Sequence, residues 1–274
     1  MTDRIAEHYA NDGIAERILS AVTATLAPGT PLTAELLAAA DQLHGRGLDA
    51  TKELAALLDP KSGEHILDIG SGVGGPARWI ASKFNCHVTG IDLTAAFCEA
   101  ADELNRATAL TDRVTIVHGS ATSLPFADRT FDRAYSHNVI MNISDKSAFY
   151  REARRVLKPG GVLALLNLIA GSVGRPHYPA PWAASSATSF LATFEETRAD
   201  LLAEGFEIIE IEDTTERSRG VRRAHAQRLE AGTAPVLGAH LVMGPRMKEL
   251  QLNVIRSEEE GSIGSMQALV RRPL

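Results

Sequence analysis

The run Ile66-Leu67-Asp68-Ile69-Gly70-Ser71-Gly72-Val73-Gly74-Gly75 decides how the rest of the chain is read. An apolar stretch carrying one carboxylate stops at a cluster of glycines, after which helical spacing resumes. The segment therefore reads as a strand, a glycine-rich turn and a helix over residues 75–83. Gly70-x-Gly72-x-x-Gly75 also fits the dinucleotide fingerprint, in which the glycines let the backbone approach a pyrophosphate. Asp68 argues for a different ligand. Dinucleotide folds place an apolar residue there, and a buried acid is unfavourable unless it meets a donor. Either the N–H groups of the turn or an α-ammonium group would supply one. A nucleotide ending in an amino acid, S-adenosylmethionine, accounts for Asp68 better than a nicotinamide dinucleotide does.

Working outward, residues 87–91, 114–118 and 131–136 read as strands and 95–109 and 145–157 as helices. Lys158-Pro159-Gly160-Gly161 reads as a sharp turn into a strand over 162–167. Alternating units of this length predict an α/β fold, Rossmann-like and doubly wound, with a mostly parallel sheet. Residues 2–43 carry Ile5, Tyr9, Ile14, Ile18, Val22 and Leu26 at helical spacing, broken at Pro28-Gly29, and predict a helical N-terminal cap. A helix over 48–58 leads into the first strand. Beyond residue 167 the rhythm breaks across a Pro/Ser/Gly-rich segment, 171–189. A helix (194–204), a strand (206–212), a C-terminal helical insertion (215–231 and 238–260) and a last antiparallel strand (262–271) follow.

The chain has 274 residues, with 28 Lys+Arg against 34 Asp+Glu, for a formal charge of −6. The length suits one large domain with an appendage. The acidic balance lacks the basic footprint of a protein that grips phosphates, so no nucleic-acid partner is expected. The one dense basic run, Arg217, Arg219, Arg222 and Arg223, reads first as a solvated helix face and second as an anion or partner contact. No apolar stretch approaches the roughly 20 residues that cross a bilayer, and residues 1–12 are charged, so a cytoplasmic protein with no membrane partner is expected. Cys86 and Cys98 are expected to be reduced thiols, and no Cys/His cluster suggests a metal.

Asp92 closes the second strand, where a carboxylate accepts hydrogen bonds from both ribose hydroxyls; the same acid would also suit the start of a helix. With these residues in place, the chain resembles the class I S-adenosylmethionine-dependent methyltransferases over residues 43–161. The matching segments are 65–75, Gly90-Ile91-Asp92, Gly119-Ser120-Ala121-Thr122-Ser123-Leu124-Pro125-Phe126, 132–138 and Arg155-Val156-Leu157-Lys158-Pro159-Gly160-Gly161. Gly74-Gly75-Pro76-Ala77-Arg78 and Met141-Asn142-Ile143-x-Asp145-Lys146 resemble the small-molecule branch. That branch includes sarcosine and dimethylglycine N-methyltransferases, tocopherol C-methyltransferases and natural-product O-methyltransferases. The resemblance implies methyl transfer to a small-molecule acceptor, with Asp68, Gly70 and Gly72 at the methionine end of the donor. It places Asp92 at the ribose, Ser120 and Ala121 at the adenine, Asn138 beside the methionine portion, and Leu93 among the cofactor-binding residues. It also implies a cap over 1–47 and a methyltransferase domain over 48–274, with acceptor-pocket insertions near 168–192 and 214–260. Two positions depart from the pattern. Ser120 stands where the family commonly has Asp, and Asn142 and Asn167 stand where some relatives carry His and Asp as acid–base candidates.

In-line methyl transfer asks chiefly for positioning. A hydroxyl or acidic-carbon acceptor also asks for a base, for which His44, His137, His177 and His240 qualify by type. His44 stands out because residues 42–45 lie between cap and core. Tyr9, on the opening helix, either packs or turns its ring to the donor or acceptor. Trp182 and Tyr178 lie in the irregular segment above the carboxyl edge of the sheet, where acceptor contact competes with loop packing. An oligomer is possible. Two other readings remain open: an NAD(P)-dependent oxidoreductase using the same glycines, and a non-catalytic S-adenosylmethionine-binding protein on the same fold.

Overall fold

The computed structural model describes residues 13–44, 46–231, 236–244 and 246–274. Helices α1 (Ile14–Thr23), α2 (Ala34–Asp41) and α3 (Gly47–Leu58) precede strand β1 (His65–Ile69), which feeds α4 (Gly75–Phe84) through the glycine turn. The alternation continues with β2 (His87–Asp92), α5 (Ala95–Ala107), β3 (Val114–His118), β4 (Phe131–His137), α6 (Lys146–Val156) and β5 (Leu157–Ala170). It closes with α7 (Phe194–Ala203), β6 (Glu207–Asp213), α8 (Thr215–Glu230), α9 (His240–Met243), α10 (Met247–Glu259) and β7 (Ile263–Arg271). The sheet order is β3-β2-β1-β4-β5-β7-β6, parallel except for β7, which runs antiparallel to both neighbours. This is the Rossmann-like sheet with a last antiparallel strand that the alternation predicts.

Residues of one strand alternate between the two faces. Leu67 and Ile69 join the cluster under α6 and α7, while Ile66 joins the one under α3 and α4. Burial on both faces is why β1 reads as a nearly continuous apolar run. The strand order reverses between β1 and β4. Helices leave on opposite sides there, and a crevice opens beyond the carboxyl ends of the strands.

The described cap helices share a core with the nucleotide-binding half: Ile14, Ile18, Val22 and Leu37 pack against Val73, Phe97 and Leu104. The sequence Gly74-Gly75-Pro76-Ala77-Arg78 makes this docking possible. A Cβ on Gly75 would lie 2.3 Å from the carbonyl oxygen of Asp41 at the end of α2. The Arg78 side chain, 0% exposed, donates through Nη2 to Asp41 Oδ2 at 3.0 Å, and Asp41 is itself 1% exposed. Nη1 donates to Asn105 Oδ1 at 3.0 Å on α5. One buried cation thus joins the cap, the glycine turn and the second βα unit.

Three readings need correction. Residues 158–161 do not turn into the strand from outside. They form a bulge within β5, between the pairs Phe131–Leu157 and Arg133–Val162, with Gly160 at φ +77° and its N–H bonded to the Arg272 carbonyl. The helical reading over 238–260 is interrupted, because Gly244 adopts φ +79°, a conformation open to glycine and closed to most L residues, and separates α9 from α10. The arginine run is not uniformly solvated: Arg217 and Arg223 are exposed, but Arg222 turns inward to Glu258.

Candidate active site

A cavity of about 350 Å³ lies at the carboxyl ends of β1, β2 and β4. At one end stands Asp68, 2% exposed, whose Oδ2 accepts from the Tyr135 hydroxyl at 2.8 Å. Of the two donors that sequence allows for Asp68, four N–H groups of the turn are already committed. The Gly70 and Ser71 N–H groups both donate to the Ile91 carbonyl, Gly74 N–H donates to the Ser71 carbonyl, and Gly72 N–H donates to Asp92 Oδ2. Burial, together with the neighbouring Asp92 charge and against the Tyr135 hydrogen bond, pushes the Asp68 carboxyl up to about 7. Such a group is short of one cationic donor. Ser71 Oγ, on the same wall, is buried without a partner.

Asp92 is fixed by N–H groups from two directions, Thr94 at 2.9 Å and Gly72 at 2.8 Å. Burial nevertheless raises its carboxyl above the ordinary range. Each oxygen keeps acceptor capacity for a further donor. Gly70, at φ +84°, lets the turn pass Val139: a Cβ there would lie 2.2 Å from Val139 Cγ2. Gly70→Ala is therefore expected to reduce stability by about 1–3 kcal/mol through overpacking, read as a lowered urea midpoint. Ser120 Oγ meets Thr122 Oγ1 at 2.9 Å and accepts from the Thr122 N–H. Leu93, Ala121 and Asn138 complete this end, Asn138 in the left-handed conformation at φ +57° where β4 ends. All eight residues that sequence assigns to the donor border one cavity: Asp68, Gly70, Gly72, Asp92, Leu93, Ser120, Ala121 and Asn138.

The cavity is also lined by His44, His137, Met141, Trp182, Met243 and Met247, among others. The His44 and His137 rings stack with centroids 3.8 Å apart. Thr51 Oγ1 donates to Gln42 Oε1, so it is the acceptor for His44 Nε2 at 3.1 Å. Burial first, then the charge of Arg46, lowers His44 to about 3; burial, His44 and Arg46 depress His137 in the same direction. Both imidazoles are neutral at physiological pH. Trp182 lines the cavity while its Nε1–H is held by Ser189 Oγ at 2.9 Å. Asn142 Nδ2 donates to the Trp182 carbonyl, so this residue anchors the loop instead of acting as a base.

Tyr9 lies outside the described residues. Tyr178 packs edge-on against Trp182, and His177 bonds Glu260 near the surface; neither borders the cavity, nor does His240. Sequence reasoning weighed His137 only by residue type. It gave no warning of the stack, because residues 44 and 137 meet only when the cap hinge folds over the end of β4. The α9–α10 methionines were missed for the same reason, and Arg222 was read only as part of the basic run, first as a solvated face and second as an anion or partner contact. Among the described residues no group of three or more His, Cys, Asp or Glu side chains is arranged to hold a metal, and no helix is long and apolar enough to cross a membrane.

The mostly parallel seven-stranded sheet with one antiparallel strand is the Rossmann-like fold of S-adenosylmethionine-dependent methyltransferases. Residues 67–165 match the family model described as a methyltransferase domain. It is 36% identical over 129 residues to the methyltransferase GfsG of Streptomyces halstedii, an alignment covering 47% of this chain and 46% of that protein. The chain spans about half or less of the length of the first such curated relatives. Among solved structures it is similar to the [4+2]-cyclase SpnF, with TM-score 0.66, 28% identity and coverage of 82% of this chain and 81% of that one. A geranyl diphosphate methyltransferase solved with geranyl diphosphate and sinefungin shares the fold over 99% of this chain and 98% of its own, with TM-score 0.72 and 19% identity.

Proposed function

We propose that this protein is a cytoplasmic enzyme that transfers the methyl group of S-adenosylmethionine to a small-molecule acceptor. The observation that carries the reading is the buried Asp68 carboxylate, with four of the turn's N–H groups engaged elsewhere and Asp92 one βα unit later in the same cavity. S-adenosylmethionine, when bound, supplies an electrophilic methyl group and an α-ammonium group. Asp68 and Ser71 hold the amino-acid end, Asp92 takes the ribose hydroxyls through the oxygens that Gly72 and Thr94 orient, and Leu93, Ser120 and Ala121 border the adenine. Asn138 flanks the methionine portion. The neutral His44–His137 pair, Tyr9 and Trp182 form the acceptor side, and His44 is the base candidate at the cap hinge.

Residues 1–47 act as a cap on the domain over 48–274, with the acceptor-pocket segments near 168–192 and 214–260. Neither nucleic acid nor membrane takes part, and self-association is compatible with this reading. The acceptor itself is not named by likeness, because relatives are described as acting on phosphoethanolamine, a sterol and glycine derivatives. Calorimetric titration of the purified protein should show binding of S-adenosylhomocysteine. Asp92→Ala should weaken it by about 1.5–3 kcal/mol, the value of charge-assisted hydrogen bonds. No binding by the folded wild-type protein would refute the assignment.

Likeness to a [4+2]-cyclase favours a second reading, in which the same cavity binds the nucleotide but performs another reaction. Release of S-adenosylhomocysteine from S-adenosylmethionine on addition of any acceptor separates the two.

A further inference from the structure

Arg222 is a buried charge at the acceptor end that methyl transfer does not itself require. Its side chain, 14% exposed on α8, borders the cavity. Nη1 donates to Glu258 Oε1 at 2.6 Å and Nη2 to Ser265 Oγ at 3.2 Å. A guanidinium has five N–H donors, so these two bonds leave further donors. Glu258, which is buried and is not one of the cavity-lining residues, fixes the guanidinium against the wall. As packing, this pair is a poor choice: apolar side chains of equal volume fill such a site without desolvating two charges.

The charge also lacks an acid on the cavity wall to answer it. Among the described lining residues the carboxylates are Asp41, Asp68, Asp92 and Asp145. Asp41 is bound by Arg78, Asp145 caps α6 through the Ala148 N–H, and Asp68 and Asp92 belong to the donor end. Arg46, although paired with Glu53, still adds to the burial that depresses His44, His137 and Arg222 alike. Arg222 is thus the arginine on the cavity wall, away from the Asp68 and Asp92 carboxyls in sequence and in their hydrogen-bond partners. The remaining walls there, Met141, Leu168, Met243, Met247, Val254 and Ile255, are apolar, and their methionines adapt to irregular shapes.

We propose that Arg222 receives an acidic oxygen group, whether carboxylate, phosphate or ionised hydroxyl, on an acceptor whose body is otherwise apolar. This rests on the methyltransferase reading of the same cavity. The methionine walls take the apolar body.

The test uses protein saturated with S-adenosylhomocysteine, titrated calorimetrically with 2-naphthoate, 2-naphthyl phosphate and 2-naphthol, and with the neutral 2-naphthamide. At least one acidic probe is expected to bind about tenfold or more tighter than the amide, and which one it is identifies the oxygen group. Arg222→Gln should abolish that preference while leaving the affinities for 2-naphthamide and S-adenosylhomocysteine unchanged. Because this variant leaves Glu258 unpaired, the Arg222→Gln/Glu258→Gln pair is measured beside it and should lose the same preference. Equal affinity for acidic and neutral probes, no binding of any of them, or a preference that survives in both variants would overturn the proposal. If S-adenosylhomocysteine itself does not bind, the methyltransferase reading fails and takes this one with it. If it binds and the probes do not discriminate, only the role of Arg222 fails.

Discussion

Arg78→Met is expected to cost about 3–5 kcal/mol of stability, the range for breaking a fully buried ion pair from one side. The substitution keeps much of the side-chain volume, but it leaves the Asp41 carboxylate buried without a counter-charge and the Asn105 and Val73 oxygens without their donor. Urea denaturation followed by circular dichroism measures the change. Adding Asp41→Leu to the same protein should recover part of the loss, since the orphaned charge is then gone. Arg78→Lys should not rescue it, because an ammonium cannot span acceptors on α2, the turn and α5 as a planar fork does. A loss below about 1 kcal/mol, the range of exposed pairs, would show that the cap docks without this contact.

Asp68→Asn is expected to weaken ligand binding as strongly as Asp92→Ala does. It preserves the shape of the side chain beside Tyr135 and removes only the charge. Affinity for S-adenosylhomocysteine should fall by about 1.5–3 kcal/mol, roughly 10- to 150-fold. The wild-type protein should show a matching pH dependence. Because burial raises the Asp68 carboxyl to about 7, the unliganded site is largely protonated below that pH. Affinity should therefore rise with pH up to about 7 and level off above it, and Asp68→Asn should flatten the profile. The stability of the unliganded protein moves the other way. A carboxyl whose folded value lies above its ordinary 3.8 holds more protons folded than unfolded. Its contribution to stability is lost as pH rises between the two values. Calorimetry between pH 5.5 and 8.5 tests both trends; an affinity independent of pH would remove Asp68 from the ammonium site.

That Asp68, Gly70, Gly72 and Asp92 meet at one edge of the sheet was legible in the sequence because the determinants are local. Asp68, Gly70 and Gly72 lie within five residues, and Asp92 follows at the end of the next strand, so strand period and turn chemistry alone bring them to one edge. Asp68 was also readable as an anomaly, an acid inside an apolar strand. The acceptor end was not legible in this way. Trp182 was placed by the break in rhythm after β5, but Met243 and Met247, which line the same cavity, come from helices some sixty residues further on. Arg222 shows the difficulty most plainly. In sequence it belongs to a basic run that reads as a solvated face, and only the packing of α8 against α10 separates it from exposed Arg217 and Arg223.

The sequence by itself determined the sheet, its glycine turn and the two carboxylates of the donor end, since periodicity and backbone conformation act over a few residues and leave their mark in spacing. The tertiary structure alone decided that Gly75 and Arg78 serve to dock the cap, that His44 meets His137, and that Arg222 turns inward. Those outcomes depend on distant segments sharing a dry interior, where the desolvation of a charge is offset only by partners that the chain brings together after it has folded.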